Sequence, residues 1–403
     1  MKIGIIKEGK VPPDYRVPLS PDQCVELENR LNGTIVVEPS PKRCFADEEY
    51  EDCGIALSTD LSECDTLLGV KEVPIDQLIP NKTYLFFSHT IKEQHYNRTL
   101  LQTILKNNIR LIDYEVLTDD DGLRLIAFGK FAGMVGAHNA IWTFSQRTGA
   151  FRLPRLHEMR DYAEARSVYR EMEIPPVKIV VTGTGRVGMG AAQVLKDMKI
   201  EQVSPDAFLS TPDFGRAVFA QIDAPDYAKR KDGAPFSFPD YFANPSDYFS
   251  EFLPYTHQSD IMINGVYWDP QAPVFFTLED MRSPEFRIRV ISDITCDIAP
   301  ESSIPSTLRA TTIAEPLFGF DPKTGKETAP HQEDVVDVMS IDNLPAELPR
   351  DASEAFGRMF LDKVLDELIK GTASPVIQRA TIAKDGELGE HFRYLKSYVE
   401  GSS

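Results

Sequence analysis

The feature that most constrains this chain is VKIVVTGTGRVGMGAAQVLKDMKI, residues 177–200. A short strand pattern, VKIVV, runs into Gly183-Thr184-Gly185-Arg186-Val187-Gly188 and then into a helix. A lone GxGxxG is weak, but strand, glycine turn and helix in that order are the context the motif needs. The first glycine makes the tight turn, the second lets backbone N–H groups approach a pyrophosphate, and the third lets helix and strand pack closely. The helix N-terminus supplies the positive end. A glycine turn that binds nothing is the plain alternative.

Around it, apolar strand patterns alternate with helical ones. KIGII (2–6), TIVVEP (34–39), 66–71, 83–88 and 109–113 read as strands. Helices are predicted near 20–32, 47–53 and 93–107, the first opened by Ser20 and Pro21. This rhythm argues for a parallel α/β sheet with helices on both faces. The small-residue segment 127–146 reads as a closely packed helix bridging two domains. DIMING (260–265) and RVISDIT (289–295) add strands, and 353–371 a long amphipathic helix. The aromatic-rich region 205–258 reads as an insertion wrapped around the second domain.

With 403 residues the chain is long enough for two domains. A formal net charge of −19 repels phosphate backbones and anionic lipid, which argues against nucleic acid or membrane as a partner. A small anionic substrate would then need local Arg or Lys to hold it. The five cysteines form no CxxC pair and no zinc pattern, so no metal is expected and a reducing cytoplasm is. MKIGIIKEGK lacks signal-peptide architecture, and no apolar stretch reaches membrane-span length.

Two strands end on unusual residues. LLGVKE brings Lys71 to a strand end, and LFFSHTIKEQ does the same for His89. Function collects at the carboxyl ends of strands in such sheets. A buried lysine can serve as a base near neutral pH, and a histidine titrates in that range already. Together they would form an acid–base pair beside a hydride transfer. The bland reading pairs Lys71 with Glu72 at the surface and gives His89 a capping role. Arg16, in the loop after the first strand, is placed to clamp a carboxylate, or is merely solvated. Glu115 ends LIDYE, and Asp293 and Asp297 follow a strand of the second domain. EQVSP (201–205) reads as the strand after the glycine-turn helix, which puts Ser204 where an acid usually reads the ribose, with Asp206 and Asp213 nearby. An acid there would favour NAD, whereas Ser204 leaves room for the 2′-phosphate of NADP.

KIGIIKEGKVPPDYRVPLSP resembles the opening of the alanine dehydrogenase and transhydrogenase superfamily. FFSHTIKEQ, IRLIDYE, IAFGKFAGMVG, VVTGTGRVGMGA, INGVYW, TTIAEPLF and MSIDNLPAELPRDASEAFG resemble, in order, saccharopine dehydrogenases of the lysine-forming type and the lysine–ketoglutarate reductase domain. The likeness covers most of residues 1–370. It implies that Lys71 takes the proton from a secondary amine, that His89 activates water against the imine, and that Glu72 and Glu115 tune them. It implies further that Arg16 and Arg124 hold substrate carboxylates or lie by the cofactor, and that Asp297 faces the active site. Gly183, Gly185, Arg186, Val187 and Gly188 match the pyrophosphate turn. Asn264, Gly265 and Val266, with Asn343 and Leu344, match backbone along the nicotinamide.

The expectation is therefore two Rossmann-like domains with parallel sheets separated by a catalytic cleft. The catalytic domain is predicted at 1–130 plus 335–403, and the dinucleotide-binding domain at 131–334. The resemblance implies interconversion of saccharopine with lysine and 2-oxoglutarate, so amino-acid and 2-oxo acid substrates, using NAD(H) or NADP(H). GTGRVGMGA with Arg186 is more similar to the NAD branch. An alanine-dehydrogenase-like or other opine dehydrogenase, or a non-catalytic dinucleotide sensor, are the alternatives. Monomer and homodimer both stay open.

Overall fold

The structure, a computed structural model, describes residues 1–401; Ser402 and Ser403, the end of the predicted 335–403 segment, lie outside the described residues. The chain divides into two compact units, Met1–Phe128 with the stretch from Pro349, and Gly129–Leu348.

In the first unit, β1 (Lys2–Ile5), β2 (Thr34–Val37), β3 (Ala56–Leu57), β4 (Thr66–Leu68), β5 (Thr83–Phe86) and β6 (Arg110–Asp113) form a parallel sheet in the order β6-β5-β4-β1-β2-β3. A C-terminal hairpin, Thr381–Lys384 and Glu387–Leu388, extends it antiparallel beyond β6. Successive side chains point to opposite faces. Leu68, Leu85 and Ile112 join Phe356 and Phe360 of the helix Pro349–Lys363 in one core. Leu67, Tyr84, Phe86 and Leu111 join Leu101 and Ile104 of the helix Arg98–Lys106 in the other. Burial on both faces is why these strands are continuous apolar runs rather than alternating ones. The predicted strand 66–71 stops at Leu68, because the amides of Val70 and Lys71 turn to the carboxylate of Glu8.

In the second unit, β7 (Lys178–Thr182), β8 (Glu201–Val203) and β9 (Val218–Ile222) lie in the order β7-β9-β8. Ile261–Asn264, Val290–Asp293 and Val336–Met339 continue the parallel sheet on the other side of β7. Phe318–Asp321 and Lys326–Thr328 close it antiparallel. Because Val336–Met339 pairs with Val290–Asp293, the chain stays in this unit to Leu348 instead of leaving it near 335.

Region 205–258 corrects the insertion reading. It supplies β9, an interior strand, and buries Phe208, Phe219, Tyr227, Tyr248, Phe252 and Tyr255 in the unit's own core. The apolar VFAQI takes the interior place and the polar EQV, largely exposed, takes the edge. The small-residue helix, Gly129–Thr148, packs on the helix Arg186–Asp197. A Cβ on Gly133 would lie 1.9 Å from the Val187 carbonyl oxygen, and one on Gly190 2.0 Å from that of Lys130. Backbone-to-backbone approach is what the glycines allow.

Candidate active site

The loops at the carboxyl ends of β1, β4, β5 and β6 collect the charged groups of the first unit. Lys71 follows β4; burial lowers its ammonium to about 8, with Arg16 and Lys10 adding repulsion against the pull of Asp14 and Glu72. Glu72 lies beside it in sequence and faces His89, with Oε1 2.5 Å from His89 Nδ1. Its other oxygen is 3.2 Å from Lys10 Nζ. Burial alone would raise Glu72, but the hydrogen bond and charge of His89 together with Lys10 hold it at about 2. An ionised carboxylate only accepts, so the Nδ1 proton faces Glu72, and it is in the neutral ring that Nε2 carries the lone pair.

Backbone geometry aims the imidazole. His89 has φ +53, and the Phe87 ring stacks on it with centroids 6.5 Å apart. Just before it, the Ser88 amide and hydroxyl donate to Asp113 Oδ2 at 2.9 and 2.5 Å. Asp113 also accepts the Glu115 amide at 2.7 Å, so one buried carboxylate ties the ends of β5 and β6.

The structure thus brings Lys71, Glu72, His89 and Arg16 together. Arg16 is not a solvated loop arginine: it is 1% exposed, pairs with Asp14 through Nε at 2.9 Å and Nη2 at 2.6 Å, and lies over the Phe128 ring. Glu115 accepts Arg124 Nη2 at 3.1 Å, with Lys92 at 3.5 Å. Sequence reasoning missed Glu8, Lys10, Asp14 and Asp113. The signal for three of them was present, since KEGKVPPDYR places them in the same loop as Arg16.

In the second unit the glycine turn joins β7 to the helix Arg186–Asp197. Gly183 has φ +91 and donates its amide to Ile222 O at 2.8 Å. A Cβ on Gly188 would sit 1.9 Å from the Gly183 carbonyl oxygen, whereas one on Gly185 would meet open space. Thr184, Gly185 and Arg186, at the start of the helix, are exposed. Val187 Cγ1 packs where a Cβ on Gly265 would be.

The position assigned to Ser204 is corrected. Ser204 follows the edge strand β8, and its Oγ accepts the Ala207 amide at 3.2 Å as a helix cap. The strand beside β7 is β9, and Asp223 follows its last residue, Ile222. The Thr184 hydroxyl, inside the glycine turn, donates to Asp223 Oδ2. An acid therefore follows the strand beside β7, 35 residues after Gly188 rather than about 20.

Asn264, Gly265 and Val266 follow the next strand. The Asn264 side chain is spent internally: Oδ1 accepts Thr182 Oγ1 at 2.8 Å, and Nδ2 donates to Asp293 at 2.9 Å and Ser303 at 3.0 Å. Its carbonyl accepts the Ile294 amide at 2.9 Å, so Asn264 is held within the sheet. Burial lifts Asp293 to about 6, and burial also raises the half-buried Asp297. Asn343 and Leu344 open a short turn beyond Val336–Met339, with Asn343 O accepting the Ala346 amide at 3.0 Å. An exposed glycine turn at a helix N-terminus, open space over Gly185 and an acid just past the adjacent strand fit a dinucleotide.

Fold and turn together define a dinucleotide-binding α/β protein. Among solved structures it is similar to an L-alanine dehydrogenase, TM-score 0.67 at 17% identity with all of both chains covered. It is also similar to a transhydrogenase from Sinorhizobium meliloti, TM-score 0.61 at 17% identity over 96% of this chain and 100% of that one. The family described as Alanine dehydrogenase/PNT, N-terminal domain, matches residues 4–135. Saccharopine dehydrogenase (NAD(+), L-lysine-forming) of Neurospora crassa is 30% identical, with 91% of each chain covered. The chain belongs to that saccharopine dehydrogenase family. Mitochondrial alpha-aminoadipic semialdehyde synthase of Bos taurus is 31% identical over 96% of this chain, and the Arabidopsis thaliana synthase 32% over 98%. The chain spans only 46% and 41% of those two relatives' length.

Proposed function

We propose that this protein is an NAD-dependent saccharopine dehydrogenase of the lysine-forming type, interconverting saccharopine with lysine and 2-oxoglutarate. The observation that carries the reading is the pairing of a lysine lowered to about 8 with a histidine oriented by an ionised glutamate, on adjacent strand ends. The names of the Neurospora crassa and Bos taurus relatives support the substrate class. In this reading the first unit carries the acid–base chemistry and the second holds the dinucleotide on Gly183, Gly185, Arg186, Val187 and Gly188.

Bound NAD+ supplies the hydride acceptor. Lys71 Nζ, neutral above about pH 8, takes the proton from the secondary amine as its carbon loses hydride. His89 Nε2 then takes a proton from water as the oxygen adds to the imine carbon. Lys71 returns its proton to the nitrogen to give the carbinolamine; the imidazolium then protonates that nitrogen again, and the carbon–nitrogen bond breaks as the hydroxyl gives its proton to Lys71, leaving the 2-oxo acid carbonyl and the lysine amine. Glu72 stabilises the charge that His89 acquires, and Lys10 holds the far oxygen of Glu72. Glu115 sits between Arg124 and Lys92, a cationic edge suited to a substrate carboxylate. Arg16 keeps Lys71 low by repulsion, and its pairing with Asp14 makes that a more direct role than clamping substrate. Asp223 supports NAD over NADP, since a carboxylate accepts from the ribose diol and repels a 2′-phosphate.

The test follows NADH and NADPH absorbance with 2-oxoglutarate present, adding lysine in one cuvette and ammonia in another. Lysine-dependent NADH oxidation is expected. Ammonia dependence would favour an alanine-dehydrogenase-like reaction, and binding of NADH without turnover would favour a sensor.

No helix among the described residues is long and apolar enough to cross a membrane.

A further inference from the structure

Glu8 has no part in the reaction set out above, yet it holds the backbone that carries it. Its Oε1 lies 2.6 Å from the Val70 amide nitrogen and its Oε2 2.9 Å from that of Lys71. The Val70 carbonyl in turn accepts the Phe87 amide at 3.0 Å. One carboxylate on the loop after β1 therefore grips the peptide bearing Lys71 and, through Val70, the strand end two residues before His89.

The two oxygens of one carboxyl group meet this geometry. Two successive N–H donors on one side need two acceptor oxygens at carboxylate spacing; glutamine would turn an NH2 donor onto one of them. The arrangement is held against a desolvation cost. Burial lifts Glu8 to about 8, with Asp14 adding to the rise, while the two amide bonds and Arg16 oppose it. Besides Asp14 and Arg16 of its own loop, Glu8 is faced by Lys71 after β4 and by the buried phenol of Tyr114 after β6. A carboxyl raised by burial does not owe its place to stability.

We infer that Glu8 is a positioning residue, whose bidentate hold on the amides of residues 70 and 71 keeps the Lys71 ammonium inside its buried pocket. The inference rests on Lys71 being the base of the proposed reaction, but its first readout does not depend on turnover.

The test uses the full chain with Glu8→Gln and Glu8→Asp. The aspartate keeps the carboxyl group but is one carbon too short to reach both amides. Glu28→Gln is the control, because Glu28, in the helix Pro21–Leu31, also accepts a backbone amide through Oε1, that of Ile35 in β2, at 2.8 Å. Lysines are dimethylated with 13C-formaldehyde, and the Lys71 resonance, assigned by its loss in Lys71→Arg, is titrated by NMR. The expected midpoint is near 8 in the parent and higher by about half a pH unit or more in both Glu8 variants, as the side chain reaches solvent. Where turnover is measurable, kcat falls roughly tenfold while the KM for NADH is unchanged. Glu28→Gln moves neither. If Glu8→Gln and Glu8→Asp both fold and leave the Lys71 titration where it was, the inference is wrong. A shifted titration in a protein that turns over no amino acid would uphold the inference and sink the proposed function instead.

Discussion

His89 Nδ1 lies 2.5 Å from Glu72 Oε1, and the two residues reach each other from the ends of adjacent parallel strands, β5 and β4. The contact settles a tautomer: with Glu72 held at about 2, the imidazole donates through Nδ1 and presents Nε2 as its base.

Glu72→Gln should therefore cost less than removing the imidazole but act on the same step. His89→Gln is expected to lower kcat by about 10²–10⁴, the ordinary worth of a general base. Glu72→Gln is expected to lower it roughly tenfold and to leave binding of NADH, measured by fluorescence, unchanged. Equal rates for Glu72→Gln and the parent would remove Glu72 from the mechanism.

Lys71 makes a prediction about stability as well as rate. Its folded value near 8 lies below the unfolded value of about 10.4, so between the two the unfolded chain binds more protons. Stability contributed at this site thus rises with pH from about 8 upward and is depressed below 8. Lys71→Met should abolish turnover and yet melt higher at pH 7, by about 1–3 kcal/mol, with the gap closing above pH 10. In the parent, kcat/KM for saccharopine oxidation should climb through a limb near pH 8. Thermal melts of the two proteins at pH 7 and pH 10.5 check the sign.

Asp223 decides the cofactor in this reading. Asp223→Ser should raise the KM for NADH by roughly 5- to 150-fold, the worth of one to three kcal/mol, while improving use of NADPH. The ratio of kcat/KM for the two cofactors is the measurement; a parent protein that prefers NADPH would refute the assignment.

The glycine contacts test the packing of the second unit. Gly188→Ala drives a methyl group to 1.9 Å from the Gly183 carbonyl, and Gly190→Ala to 2.0 Å from that of Lys130. Backbone on both sides leaves little room to yield, so each should cost more than about 2 kcal/mol by chemical denaturation. Gly185→Ala meets open space and should leave stability nearly unchanged while weakening NADH binding.

Much of this was legible in the linear chain. The parallel α/β class followed from alternating apolar runs and helical stretches, because a strand buried on both faces must be apolar throughout. Lys71 and His89 stood out because a charged or titratable group at the end of such a run must sit at a strand's carboxyl end. The glycine turn was equally plain, since its spacing is a requirement of local backbone geometry. What the linear chain could not carry was order across the sheet. EQVSP follows the glycine-turn helix in sequence, yet β9 takes the place beside β7 because VFAQI is the more apolar strand, and Asp223 rather than Ser204 follows the strand adjacent to the glycine turn. Likewise Arg16 read as a carboxylate clamp or a solvated loop arginine until its buried pairing with Asp14 appeared, and Glu8 had no visible role until folding brought it to amides more than sixty residues away. Sequence by itself determined which residues have the chemistry and which local backbone they need. Tertiary structure decided which of them meet, because strand order, and with it each side chain's partners and burial, is settled by competition among all the strands for the interior.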